Sequence, residues 1–142
     1  MWRCVITPRT LAGATDGAAA PAPAVPGALY ARGVDLSEYQ RRSRATAIYP
    51  GLGESLAYPA LGLCGEAGEA AELVKKALRD DAGRLTLERR AALEQELGDV
   101  LWYLAQLATE AGLDLGRIAA ANLDKLASRA ERGTLQGAGN ER

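Results

Sequence analysis

From Asp35 to Arg132, apolar residues recur at intervals of three and four, the period of a helix that buries one face. The pattern predicts four helices. The first spans about Leu36 to Tyr49, with Asp35 or Ser37 suited to cap its N-terminus, and Pro50-Gly-Leu-Gly53 breaks it. The second spans about Tyr58 to Arg79, tolerates Pro59 in its first turn, and stops at Asp80-Asp-Ala-Gly83. The third starts at Thr86, a good capping residue, and runs to Ala111, where Gly112 is placed to end it. The fourth begins at Asp114 and fades near Arg132, before Gly133. Four helices joined by short links describe an all-α, four-helix-bundle-like protomer over residues 34–133.

The ends break the pattern. Ala18-Ala-Ala-Pro-Ala-Pro-Ala-Val-Pro-Gly27 packs its prolines too densely for helix or sheet, so residues 1–33 are expected to form a disordered tail. Residues 134–142 are expected to fray. Thr7, Pro8, Arg9 and Thr10 interrupt the only apolar stretch near the start, which falls short of the roughly 7–15 residues of a secretory core. No apolar run approaches the roughly 20 residues that span a bilayer, and a cytoplasmic protein without membrane contact is expected.

Two acids sit where leucines should be. With Glu66 at zero on a wheel of about 100° per residue, Leu73, Ala77, Ala70, Leu63 and Val74 fall between about −20° and +80°. Glu69 lies about 60° to one side, at the edge of that arc, and Glu72 about 60° further out. With Glu96 at zero on the third helix, Tyr103, Leu107, Val100, Leu93 and Leu104 fill the same window, and Asp99 again lies about 60° away. Each helix thus sets one acid within its apolar stripe and a second three residues on.

Removing an unpaired carboxylate from water costs several kcal/mol, and like-charged neighbours add to it. The four acids can protonate, pair with Lys75, Lys76, Arg89 and Arg90, or surround a divalent cation. One E-x-x-E on a helix is ordinary surface charge. Two such pairs, both within apolar stripes, favour the cation. An all-oxygen donor set selects a hard ion, with Mg²⁺ the default and Mn²⁺ the substitute. On the fourth helix Asn122, Arg129, Ile118 and Lys125 flank an apolar arc of Leu115, Leu126, Ala119, Ala130 and Leu123. A cationic and amide edge suits a polyphosphate; equally, Lys125 and Arg129 can pair with Asp124 and Glu131 at the surface.

Composition narrows the chemistry further. Ala (29) and Leu (21) outnumber Val (5) and Ile (3), and Phe is absent, which favours helix over sheet. The absence of histidine excludes Ser-His-Asp and Cys-His nucleophile systems, His-containing zinc sites and Glu-x-x-His di-iron centres. Cys4 and Cys64 cannot make a four-thiolate cluster. Basic and acidic residues, 17 against 18, nearly cancel, so no nucleic-acid partner is expected. Gly51-Leu-Gly-Glu-Ser-Leu56 lacks the strand and third glycine of a nucleotide loop and reads as a turn. Gly62, Gly65 and Gly68 within a helix ask for close helix approach or backbone room beside a ligand.

Leu61-Gly-Leu-Cys-Gly-Glu-Ala-Gly-Glu-Ala-Ala-Glu-Leu-Val-Lys-Lys76, Glu96-Leu-Gly-Asp-Val-Leu-Trp-Tyr-Leu104 and Asn122-Leu-Asp-Lys-Leu-Ala-Ser-Arg129, in this order, resemble the MazG-like family of all-α nucleoside triphosphate pyrophosphohydrolases. The similarity spans about Leu36 to Arg132. The family's acidic motif often opens with two adjacent acids; Gly65 stands in the first place here. The resemblance implies Mg²⁺-dependent cleavage of a nucleoside triphosphate between its α- and β-phosphates, giving a monophosphate and pyrophosphate, with a use in cleansing the nucleotide pool. It implies Glu66, Glu69, Glu96 and Asp99 as metal ligands, Glu69 also orienting or deprotonating the attacking water. Asn122, Lys125 and Arg129 would steady phosphates, and a homodimer or dimer of dimers would complete the bundle. Tyr103, one turn after Asp99, either touches sugar or base or packs in the core. Trp102, near 240° on the same wheel, points away, toward a neighbouring subunit. Two other classes fit the same residues: a nucleotide-binding or regulatory assembly module without turnover, and a structural bundle whose acids are paired with Lys and Arg.

Overall fold

The computed structural model describes residues 33–135. The expected N-terminal tail, apart from Gly33, and residues 136–142 of the expected C-terminal one lie outside that range. Among the described residues the regular structure is entirely helical. Helix α1 spans Leu36–Ser43 and passes into a 3-10 turn at Arg44–Thr46; α2 spans Ala57–Asp80, α3 Leu87–Glu110 and α4 Leu115–Glu131. The all-α, four-helix expectation therefore holds.

The helix ends follow local chemistry. Asp35, Thr86 and Asp114 each accept a backbone N–H from the third residue on, at 2.8, 3.2 and 2.7 Å, and so satisfy donors that a helix start leaves orphaned. Ser37, the other candidate cap of α1, instead donates to Asp114 Oδ1 at 3.1 Å and ties α1 to the start of α4. At the far end of α3, Gly112 takes φ +66°, a left-handed conformation that lets Leu113 N–H reach back to Ala108 O at 2.8 Å. Thr134, the first residue of the expected frayed tail, closes α4 in the same way by donating to Arg129 O.

Helix α1 is shorter than the pattern predicts. It stops at Ser43 rather than near Tyr49. Ser43 Oγ donates to Gln40 O and Thr46 Oγ1 to Ser43 O, so hydroxyls compete locally for carbonyls the helix would have used. Arg44 and Tyr49 then leave the helix path to reach Glu110 on α3, at 2.8 and 2.6 Å.

Helices α2 and α3 form an antiparallel hairpin, and their mutual packing is the most extensive in the chain. Gly62 lies against Tyr103 at one end, Glu66 beside Glu96 and Asp99 further along, and Asp81 against Arg89 at the turn. Helix α1 packs on α3 and on α4, held by polar clamps. Gln40 donates to Thr109 Oγ1 and Leu113 O and accepts from Leu115 N–H, serving the end of α3 and the start of α4 at once. Gln106, fully buried, donates to Ser43 Oγ and accepts from Arg44. The buried apolar set is small: Ala47, Tyr49, Pro59, Ala77, Ala105, Ala108 and Leu115. Leu61, Leu78, Leu87 and Leu97 on the hairpin and Leu123 on α4 are each more than half exposed. Among the described residues no helix is long and apolar enough to cross a membrane.

Candidate functional site

The wheel arcs of α2 and α3 are the faces that meet. Leu63, Ala70 and Leu73 on one helix and Leu93, Val100 and Leu107 on the other are half-buried, and so are Glu66 and Glu96 among them. Carboxylate oxygens of Glu66, Glu96 and Asp99 converge to within 4.8 Å of one another. Glu69 is exposed at the rim and lies outside this trio, but its charge reaches Glu66. Burial, then the charges of Glu69, Asp99 and Glu96, push the Glu66 carboxyl above its ordinary value.

Three of the four cations that could have neutralised the acids are engaged elsewhere, and the fourth, Arg90, is exposed and in no ion pair among the described residues. Lys75 and Lys76 pair with Glu72, and Arg89 bridges Asp80 and Asp81 at the hairpin turn. Among the described residues no ion pair involves Glu66, Glu69, Glu96 or Asp99. Convergent acids, Glu66 and Glu96 half-buried and Asp99 exposed, without a cationic partner form a donor set suited to a hard divalent ion.

Tyrosines lie near the acids. The Tyr103 ring lies so close to Gly62 that a Cβ there would stand 2.2 Å from it, which accounts for that glycine by close helix approach. Gly65 and Gly68 face open space instead. Burial, then Tyr58, Glu66 and Asp99, push the Tyr103 phenol up from its ordinary value. Tyr39 on α1 is pushed up by burial and then by Asp99, so α1 covers this side of the hairpin. Tyr39 and Trp102 line a cavity of about 380 Å³ with Val34, Arg42, Ser43 and Thr46.

Tyr39 and Tyr58 were not among the expected site residues, although a sequence signal exists for Tyr58. Tyr58, Gly62 and Glu66 succeed one another at intervals of four and so share a stripe of α2. Trp102 is half-buried within its own chain. Its indole donates to Thr46 Oγ1 at 2.8 Å and its ring stands edge-on to Tyr49 and Tyr103, because the chain beyond α1 folds over that flank of α3.

Helix α4 brings none of its candidate residues to the acids within one chain. It packs on α1, and Asn122 and Lys125 are exposed with no bond to the acids. Arg129 is buried, 5% exposed, and makes interactions of its own. A second cleft, about 720 Å³ and lined by residues including Ser37, Gln40, Arg41, Thr109 and Asp114, contains none of the four acids. Its arginines are occupied, Arg41 by Glu38 and Arg44 by Glu110. Size alone does not make it the site.

Comparison with known proteins finds a family for the segment that carries these acids. The family model of the MazG nucleotide pyrophosphohydrolase domain matches residues 56–134, more than half of the chain and the whole of the α2–α3 hairpin. The gene 37 protein of Mycobacterium phage L5 is 50% identical over 109 residues, an alignment covering 73% of this chain and 96% of that protein. No solved structure matches.

Proposed function

Because the chain belongs to the MazG nucleotide pyrophosphohydrolase family, we propose that it is a Mg²⁺-dependent nucleoside triphosphate pyrophosphohydrolase, cleaving a (d)NTP between the α- and β-phosphates to a (d)NMP and pyrophosphate. The convergence of Glu66, Glu96 and Asp99 without a cation partner carries this reading. These three would hold Mg²⁺, or Mn²⁺ in its place, with Glu69 as a fourth ligand from the rim. Bound there, the ion supplies charge neutralisation at phosphoryl oxygens and acidifies water, so a chain without histidine needs no other strong base. Glu69, exposed and next to Glu66, is the residue assigned to orient the attacking water and accept its proton on a carboxylate oxygen. Tyr103 faces the sugar or base.

Asn122 and Lys125, with Arg129 one turn further on, are assigned to the phosphates. Because α4 extends from α1 rather than across the hairpin, a site using them is completed in a homodimer or dimer of dimers. The exposed leucines of α2, α3 and α4 support that assembly. Such an enzyme would cleanse noncanonical or excess nucleotides from the pool.

Incubation with a panel of NTPs and dNTPs plus Mg²⁺, following pyrophosphate, tests the reading. Release is expected for part of the panel and is lost with chelation. Nucleotide-dependent stabilisation without turnover would instead identify a binding module, and no response to metal or nucleotide would leave only a structural bundle.

A further inference from the structure

Glu110, at the end of α3, is used by no step above, yet its side chain is only 2% exposed. One oxygen, Oε1, accepts from the Tyr49 hydroxyl at 2.6 Å, from Arg44 Nη1 at 2.8 Å and from Gly53 N–H at 3.0 Å. All three donors belong to the segment joining α1 to α2, so a single carboxylate pins that segment to α3. Tyr49 is 8% exposed and its ring stacks on Tyr58, centroids 5.1 Å apart and planes 4° apart. Tyr58 is the outer ring of the pair, 42% exposed. Trp102 stands edge-on to Tyr49 on one side and to Tyr103 on the other, and Tyr103 borders the acids through Glu66. The result is a continuous aromatic wall that starts at the carboxylate cluster, ends in an open ring, and rests on Glu110.

We propose that Glu110 and Tyr49 are positioning residues for the nucleoside end of the substrate, holding the Tyr58 ring as a platform beside Tyr103. The proposal rests on the nucleotide reading above. A ligand held by its phosphates at the acids must send its base along one side of the hairpin, and a flat, half-exposed tyrosine is what a base stacks on. A tyrosine stacked on another ring keeps its plane only if the lower ring is fixed, and the Tyr49 hydroxyl is the fixing point. Neither Glu110 nor Tyr49 touches substrate in this arrangement.

The test compares a nucleotide with a ligand that has phosphates and no base. For wild type, Tyr49→Phe, Glu110→Gln and Tyr58→Leu, nucleotide KM is measured beside the inhibition constant of inorganic tripolyphosphate, with calorimetric affinities for both as a readout independent of turnover. Tyr49→Phe is expected to weaken nucleotide by about 2- to 10-fold, the range of one lost hydrogen bond, with tripolyphosphate unchanged. Tyr58→Leu, at an exposed position that leaves the Glu110 bonds intact, is expected to weaken nucleotide selectively by about 5- to 100-fold. If both ligands weaken together, or if only thermal stability falls, the proposal is overturned while the pyrophosphohydrolase reading stands. Should Glu110→Gln and Tyr49→Phe fail to fold, an unchanged ratio in Tyr58→Leu overturns it alone. A wild-type protein that neither binds nor cleaves any nucleotide overturns both.

Discussion

Glu110 and Glu66 show how the same side chain takes opposite characters a few turns apart. Three donors hold the Glu110 carboxyl down to about 2, with Tyr49 the largest influence, then Gly53 and Arg44. Glu66, among other acids, is pushed up. A carboxyl depressed in the folded state adds stability that is fully present above its unfolded value, 4.5, and is lost as pH falls toward 2. Urea unfolding across that window should show wild type losing stability as acid is added. Glu110→Gln should start less stable at pH 7 and lose less over the same interval. At the neighbouring site, Glu69→Gln should lower kcat about 10²- to 10⁴-fold and weaken Mn²⁺ less than a change inside the trio does, because Glu69 joins the ligands from outside it. Asp99→Asn, inside it, should lower metal affinity as well.

At the scale of elements, Gly62 decides how closely α2 and α3 approach. Alanine normally improves a helix interior over glycine by up to about 1 kcal/mol. At Gly62 a methyl would meet the Tyr103 ring, so Gly62→Ala should lower the melting temperature and impair nucleotide binding. Gly65→Ala and Gly68→Ala, which meet nothing within 4 Å in this chain, should raise it; a fall instead would locate a partner subunit or substrate there. The extents of α2, α3 and α4 were legible in the sequence because their caps, Thr86 and Asp114, and their closing turns are local features. The meeting of Glu66, Glu96 and Asp99 was legible too, since angular position on a helix needs only sequence spacing. The length of α1 was not, because Arg44 and Tyr49 are drawn off the helix by Glu110, more than sixty positions away. Glu110 lies about 20° from Asp99 on the α3 wheel, so its face was readable while its partners were not. The placement of Asn122 and Lys125 depends on what α4 docks against, which no period along the chain encodes.

For the whole molecule, the balance of buried and exposed apolar residues argues for a second copy. A single chain leaves Leu61, Leu78, Leu87 and Leu97 on the hairpin in water, and a second copy would cover them. Sedimentation equilibrium should therefore give at least twice the 14.9 kDa of one chain, and Leu61→Lys combined with Leu97→Glu should shift the protein toward monomer and reduce turnover. A dimer unaffected by both changes would place the interface away from these two leucines.

The unneutralised trio has a consequence for the unliganded protein as well. On the metal reading proposed above, a divalent ion among Glu66, Glu96 and Asp99 would offset the burial and like charge that raise the Glu66 carboxyl. Tolerance to heat should thus track free Mg²⁺ or Mn²⁺, gaining about 2.7 kcal/mol at a hundredfold excess over the dissociation constant.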